Sequence, residues 1–250
     1  MRGRSERADI FLVSHGFAAS RAEAQAAIRA GRVDADGKPI RKAAQRLSEG
    51  MSIHYQAAHP FVSRGGVKLS AALDRFQLSP EGRVCLDVGA STGGFTQVLL
   101  ERGAMRVYAV DVGHGQLHPK IAGDPRVVLR EGVNARDLSD ATVSERVGAI
   151  VADVSFISLK LVLAPMFALA SADCWAVLLV KPQFELGRWG APHSGVVKKD
   201  EERERALAEV TAAVKAKGWR VLDTMESPIA GGEGNREYLL ASVRADAMRG

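Results

Sequence analysis

Along residues 67–250, short apolar runs alternate with stretches whose apolar residues recur at helical spacing. The runs Val84–Val88, Arg106–Asp111, Arg126–Leu129, Ala149–Asp153, Trp175–Val180, Trp219–Met225 and Tyr238–Val243 predict strands. The stretches Val67–Phe76, Gly94–Arg102, Leu159–Leu169 and Asp200–Lys217 predict helices. This alternation predicts an α/β fold built on a doubly wound sheet. Sheets of that kind take ligands at the carboxyl ends of their strands.

The first part of the chain has another rhythm. Ala8–Ser14 carries consecutive apolar residues and is followed by His15-Gly16, which predicts a short helix. Ser20 is a good N-cap for a second helix over Ala22–Ala30, which Gly31 ends. Short β-prone pieces at Arg32–Asp34 and Met51–Tyr55 follow, with a turn signal at Asp36-Gly37. Pro60 and Gly65-Gly66 mark a linker. The expected organisation is a small α+β domain over 1–58, a linker over 59–66 and a large α/β domain over 67–250.

Composition changes the picture only through charge. Residues 1–64 hold 11 Lys+Arg against 6 Asp+Glu, and the rest of the chain is balanced at 23 against 23. The whole net charge of +5 therefore lies in residues 1–64, which predicts a grip on a polyanion. No apolar run approaches the roughly 18 residues that span a bilayer. The polar start Met1-Arg-Gly-Arg-Ser-Glu-Arg does not read as a signal peptide. Cys85 and Cys174 each sit in an apolar run and read as buried thiols, so a cytoplasmic protein is expected. No Cys/His cluster has zinc spacing, and no metal is expected.

The clearest chemistry-bearing motif joins the first strand of the large domain to a helix: Leu86-Asp87-Val88-Gly89-Ala90-Ser91-Thr92-Gly93-Gly94-Phe95-Thr96. Small residues let the backbone turn sharply and approach a ligand, and amides at the helix start can bind polar groups. The next strand ends in Asp111, 22 residues after Gly89, where a carboxylate can accept both hydroxyls of a ribose. Such a loop alone fits a nicotinamide enzyme equally well. Two details favour S-adenosylmethionine. Asp87, just before the loop, suits a cationic amino-acid moiety better than a pyrophosphate. Ser91 also stands where a dinucleotide site has its second glycine.

Methylation of a ribose 2′-hydroxyl requires its proton to leave, and a lysine held by carboxylates can take it. Asp153 closes the apolar strand Ala149-Ile-Val-Ala-Asp, and Lys181 closes Val177-Leu-Leu-Val-Lys. Both fall at strand carboxyl ends, although a charge there also simply marks where a strand meets water. Pro182 stiffens the loop after Lys181. Lys68 and Glu237 are not distinguished by composition or spacing.

Six blocks taken together resemble the TlyA, or hemolysin A-like, family of ribosomal RNA cytidine 2′-O-methyltransferases. They are Ser63-Arg-Gly-Gly-Val-Lys-Leu69, Asp87-Val-Gly-Ala-Ser-Thr-Gly-Gly-Phe-Thr96, Ala109-Val-Asp-Val-Gly-His-Gly-Gln-Leu117, Ala152-Asp-Val-Ser-Phe-Ile-Ser-Leu159, Val180-Lys-Pro-Gln-Phe-Glu185 and Gly234-Asn-Arg-Glu-Tyr-Leu239. The resemblance implies a class I Rossmann-like methyltransferase domain with a seven-stranded sheet, similar to the FtsJ-type enzymes. It also implies an N-terminal αL module of the ribosomal-protein type. Their Lys-Asp-Lys-Glu tetrad falls on Lys68, Asp153, Lys181 and Glu237, with Lys181 as the central amine. S-adenosylmethionine would contact Asp87, Gly89, Ala90, Ser91, Thr92, Gly93, Gly94, Phe95, Asp111, Asn134 and Asp153. Ribosomal RNA, free or in a subunit, would be the partner, met by Arg21, Arg29, Arg32 and Arg64. The linker departs from the family, reading His59-Pro60-Phe61-Val62 where a basic residue and a tryptophan are common.

Three rival classes compete with this expectation. A non-enzymatic RNA-binding ribosome-assembly factor with a methyltransferase fold is disfavoured by suitable residues at all four tetrad positions. A membrane-lytic toxin is disfavoured by the lack of an apolar span. A nicotinamide oxidoreductase is the weakest rival.

Overall fold

The apolar runs of the large domain are strands of one seven-stranded sheet. In the computed structural model, which describes residues 5–18, 20–186, 195–231 and 234–245, the chain divides into two units, Met1–Pro60 and Phe61–Gly250. The first unit contains β1 (Ser5–Arg7), α1 (Ala8–Ser14), α2 (Arg21–Arg29), β2 (Val33–Ala35), β3 (Lys38–Pro39), β4 (Arg46–Ser48) and β5 (Ile53–Tyr55). Strands β1 and β4 pair, and β3, β2 and β5 form a second small sheet. Ser20 caps α2, its side chain accepting the Glu23 N–H. Asp36 and Gly37 both take positive φ, 51° and 71°, as a two-residue hairpin requires. Phe11, Leu12, Ala24, Ala27, Ile28, Val33, Ile40 and Leu47 form its core. Asp9 is buried there and accepts hydrogen bonds from Arg7, Arg21 and Gln25, which hold its pKa well below the usual carboxylate range.

The second unit runs α3 (Arg64–Phe76), β6 (Val84–Val88), α4 (Gly94–Glu101), β7 (Arg106–Val110), α5 (Pro119–Ala122), β8 (Val127–Arg130), β9 (Val147–Ala152), α6 (Leu163–Ala168), β10 (Ala170–Val180), α7 (Pro182–Glu185), α8 (Asp200–Ala216), β11 (Trp219–Glu226) and β12 (Tyr238–Arg244). The strand order is β11-β12-β10-β9-β6-β7-β8. β6, β7, β8, β9 and β10 are parallel, and β12 runs antiparallel between β10 and β11. Side chains alternate across the sheet. Leu86, Ile150 and Leu178 point to one face with Met166 of α6 and Val210 of α8. Cys85, Val151 and Leu179 point to the other, with Leu69 of α3 and Leu99 of α4. The order reverses between β9 and β6, which opens a crevice at their carboxyl ends.

Several elements differ from the sequence-based expectation. Helix α3 starts at Arg64, so Gly65 and Gly66 lie in its first turn and not in a linker. The glycines serve close packing: a side chain on Gly66 would overlap the Phe61 ring, and one on Gly65 would crowd Ser63 and Phe95. The expected helix Leu159–Leu169 is a 3-10 turn over Leu159–Leu161 followed by α6. The strand expected from Trp175 begins at Ala170, and its register with β9 shifts between Ala170 and Trp175.

Candidate active site

The crevice holds a cavity of about 960 Å³ walled by Gly89, Ser91, Asp111, Asn134, Asp153 and residues of the segments that follow β9 and β10. The loop after β6 turns through Gly89 (φ 83°), Ser91 (φ 47°) and Gly93 (φ 94°). A side chain on Gly89 would lie 2.6 Å from the Asp153 carbonyl oxygen, so only glycine lets the loop cross the end of β9 this closely. Asp111 Oδ2 accepts the Ser91 N–H and its Oδ1 accepts the Gly113 N–H, each at 2.7 Å. Each oxygen keeps a further lone pair for a ligand hydroxyl. Asn134 Oδ1 caps the turn after β8 by accepting the Arg136 N–H at 3.0 Å.

Other loop residues lie behind this wall. Phe95, expected among the cofactor contacts, is 3% exposed and packed in the core with Leu69 and Leu99. A side chain on Gly94 would overlap Ser63 Oγ, so Gly94 lets α3 and α4 pack. Asp87 is fully buried. Its Oδ2 accepts Thr96 Oγ1–H at 2.6 Å, while Oδ1 has no hydrogen-bond donor among the described residues. Burial pushes the Asp87 pKa up to about 7, against the pull of Thr96 and with a further push from Asp153.

The four tetrad candidates come together as two ion pairs. Lys181 Nζ lies 2.5 Å from Asp153 Oδ1 and donates to Ser155 Oγ at 2.7 Å. Lys68 Nζ donates to Glu237 Oε2 at 2.5 Å, and both side chains are buried. The fold explains the meeting. Val180 is paired with Tyr238 across β10 and β12, so Lys181 and Glu237 stand opposite each other one step further on. Ala152 is level with Leu178 of β10 and Val88 of β6, which sets Asp153 beside Gly89 at the same edge of the sheet. Lys68 comes from α3.

Sequence reasoning left several residues of this region without a role. Phe156 has φ 64° and is 91% exposed, its ring centroid 5.1 Å from that of Phe184. Gln183 Oε1 is buried without a partner among the described residues. Ser155 and Glu185 hold the same segments. All four lie inside the blocks Ala152–Leu159 and Val180–Glu185, but only the fold makes those blocks neighbours.

The expected RNA-contacting arginines fall in both units. Arg21, Arg29 and Arg32 are exposed in the first. There Arg21 donates to Asp9 at 3.0 Å and Arg32 donates to the Ala57 carbonyl at 3.3 Å. Arg64 is exposed at the start of α3, its guanidinium 3.5 Å from the Ala230 carbonyl oxygen. Among the described residues no helix is long and apolar enough to cross a membrane, and no group of three His, Cys, Asp or Glu side chains is arranged to hold a metal ion.

Residues 61–244 match the FtsJ-like methyltransferase family, and residues 6–53 match the S4 domain. The chain is 44% identical to the 16S/23S rRNA (cytidine-2′-O)-methyltransferase TlyA of Mycobacterium tuberculosis, over 95% of this chain and 89% of that protein. The chain belongs to the TlyA family. Another relative of this TlyA-family chain is Hemolysin A of Brachyspira hyodysenteriae, 39% identical over 93% of this chain and 98% of that protein. A solved structure of a candidate hemolysin from Streptococcus thermophilus covers 97% of the chain and 90% of its own, at 37% identity and TM-score 0.77. A solved structure of a candidate S-adenosylmethionine-dependent methyltransferase from Listeria monocytogenes shares the fold of the large unit, with TM-score 0.54 at 13% identity over 73% of this chain and 99% of that one.

Proposed function

We propose that the protein transfers a methyl group from S-adenosylmethionine to the ribose 2′-hydroxyl of a cytidine in ribosomal RNA. The observation that carries this reading is the formation of two short ion pairs, Lys181–Asp153 and Lys68–Glu237, with Asp153 in the cavity wall. Four residues far apart in sequence form two short ion pairs where a cofactor of this fold reacts.

The residues present fit the cofactor. The cavity volume is of the size that small-molecule sites have, about 300–1,000 Å³. Asp111 and Asn134 offer polar groups for a nucleoside, and the Gly89–Gly93 loop lets a ligand approach the backbone. Asp87 lies behind the cavity wall, and its Oδ1, without a donor among the described residues, is the acceptor the loop would offer to a cationic amino-acid moiety. When bound, the cofactor supplies an electrophilic methyl group on a sulfonium.

The protein's own residues hold and relieve the nucleophile. Asp153 and Ser155 grip Lys181 Nζ from two sides, leaving a third position on the amine for the substrate oxygen. The O–CH₃ bond forms as the methyl–sulfur bond breaks, its electron pair staying on sulfur as a neutral thioether; the hydroxyl proton passes to Lys181 Nζ, which gives one of its own to Asp153. Lys68 and Glu237 set the charge beside it. The S4 unit, which carries most of the basic excess, supplies affinity for RNA through Arg21, Arg29 and Arg32, and Arg64 of the large unit adds to it. The protein acts in the cytoplasm, where this substrate is made.

The test uses methyl-labelled S-adenosylmethionine, deproteinised ribosomal RNA or isolated subunits, and the purified protein. Label recovered as 2′-O-methylcytidine with wild type and lost with Lys181→Ala supports the proposal. Tight RNA binding with no label transfer to either substrate points instead to a non-enzymatic assembly factor.

A further inference from the structure

Two segments wall the cavity near Lys181: residues 153–158 after β9, and Gln183 and Phe184 after β10. They are tied at two places. The first tie is Lys181 to Asp153 and Ser155. The second is Glu185, which the chemistry above does not use. Glu185 is 4% exposed. Its Oε2 accepts Ser158 Oγ–H at 2.5 Å and its Oε1 accepts the Leu159 N–H at 2.8 Å. Its backbone oxygen accepts Lys160 Nζ at 3.3 Å. Burial raises the Glu185 pKa, and these hydrogen bonds oppose the rise.

A buried carboxylate is costly unless its hydrogen bonds repay the lost hydration. Here it binds a backbone that would not hold its shape alone. Phe156, between the two ties, is in the left-handed region, a strained conformation for a bulky side chain. Its ring is 91% exposed, so core packing does not compensate. Strain of this kind persists only where the surroundings over-determine the backbone. The surroundings here are the ties at Ser155 on one side and at Ser158 and Leu159 on the other.

We propose that Glu185 is a positioning residue for methyl transfer: it clamps residues 153–158 so that Asp153 and Ser155 meet Lys181 in register. The inference rests on the function proposed above. Glu185 does not touch the reacting atoms and acts through the segment that does. Loosening the clamp lets Asp153 and Ser155 drift from Lys181, and displacements of about 1 Å at a reacting centre cost up to about 10²-fold in rate.

The experiment compares full-length wild type, Glu185→Ala, Glu185→Gln and Ser158→Ala by two readouts. The first, amide hydrogen exchange at Leu159, needs no activity. The second is kcat and KM for RNA at saturating S-adenosylmethionine. In Glu185→Ala, Leu159 should exchange about tenfold faster or more while β9 amides keep their protection, and kcat should fall about tenfold or more with KM for RNA changed less than about threefold. Glu185→Gln keeps an acceptor for the Leu159 N–H and should recover most of the lost rate, with Ser158→Ala in between. Unchanged Leu159 exchange in Glu185→Ala overturns the proposal, as does a kcat within about twofold of wild type. If Glu185→Ala does not fold, a Glu185→Gln variant as slow as Lys181→Ala overturns it equally. Should the wild-type chain transfer no methyl group to RNA, the proposed function fails, and the Leu159 exchange alone decides whether the clamp exists.

Discussion

Lys68→Met is the perturbation that separates a structural ion pair from a functional one. The Lys68 and Glu237 side chains are 9% and 2% exposed and meet at 2.5 Å. Removing one partner leaves the other charge buried without compensation, at a cost of about 3–5 kcal/mol. In a unit the size of Phe61–Gly250, each kcal/mol moves the melting temperature by about 2–4 °C. Lys68→Met or Glu237→Met should therefore lower its transition by about 6–20 °C. Replacing both should not, because an apolar pair of similar volume is commonly neutral or stabilising by about 1–4 kcal/mol. Methionine is chosen for both positions because it is unbranched, like Glu237, whose carboxylate lies against Gly231. Calorimetry should find the double variant melting within about 3 °C of wild type or higher. Methyl transfer, measured well below every transition, should stay lost in all three variants. A double variant with both wild-type stability and wild-type turnover would show that the pair only holds the fold, and would remove Lys68 and Glu237 from the site.

Three further outcomes follow from the geometry. Lys181→Ala should lower turnover by about 10²–10⁴-fold with little change in S-adenosylmethionine affinity, and Lys181→Arg should not restore it, because a guanidinium hardly releases a proton; single-turnover kinetics beside calorimetric binding checks both. Asp111→Ala should weaken S-adenosylmethionine binding by about 1–3 kcal/mol, read by calorimetry, and unchanged affinity would place the ligand elsewhere. Asp87, raised by burial from 3.8 to about 7, binds its proton more tightly folded than unfolded. Its contribution to stability should therefore fall as pH rises from about 4 to about 7. Denaturant titrations should show Asp87→Asn losing less stability than wild type across that window, and identical slopes would refute the assignment.

The sheet was readable because most strands of the large unit are short apolar runs between turn residues, and the expected runs fall on all seven strands, with only β10 starting well ahead of its expected position. The start of α3 was not, because Gly65-Gly66 reads as a break when nothing shows that Phe61 and Phe95 need the space. β1, β3 and β4 are too short for periodicity to reveal, and they form only by pairing with partners elsewhere in the small unit. In the site, Asp153 and Lys181 stood out as charges closing apolar strands. Lys68 and Glu237 did not: one lies on a helix face, the other just before the antiparallel strand β12, and only tertiary packing joins them. The family resemblance supplied them. Phe95 belongs to the loop motif yet its side chain packs in the core, because membership in a motif does not say which side of the loop a residue faces. Glu185 was invisible for a related reason, since its partners Ser158 and Leu159 are near it only when β9 and β10 lie side by side.

Methyl transfer to a cytidine ribose in ribosomal RNA with the help of Lys181 is decided by mapping 2′-O-methyl groups across ribosomal RNA from cells carrying the wild-type protein, the Lys181→Ala variant, or neither. At least one 2′-O-methylcytidine should be present only with wild type. Identical maps in all three cells, or a wild-type-dependent methyl group on a base nitrogen or carbon, would contradict it.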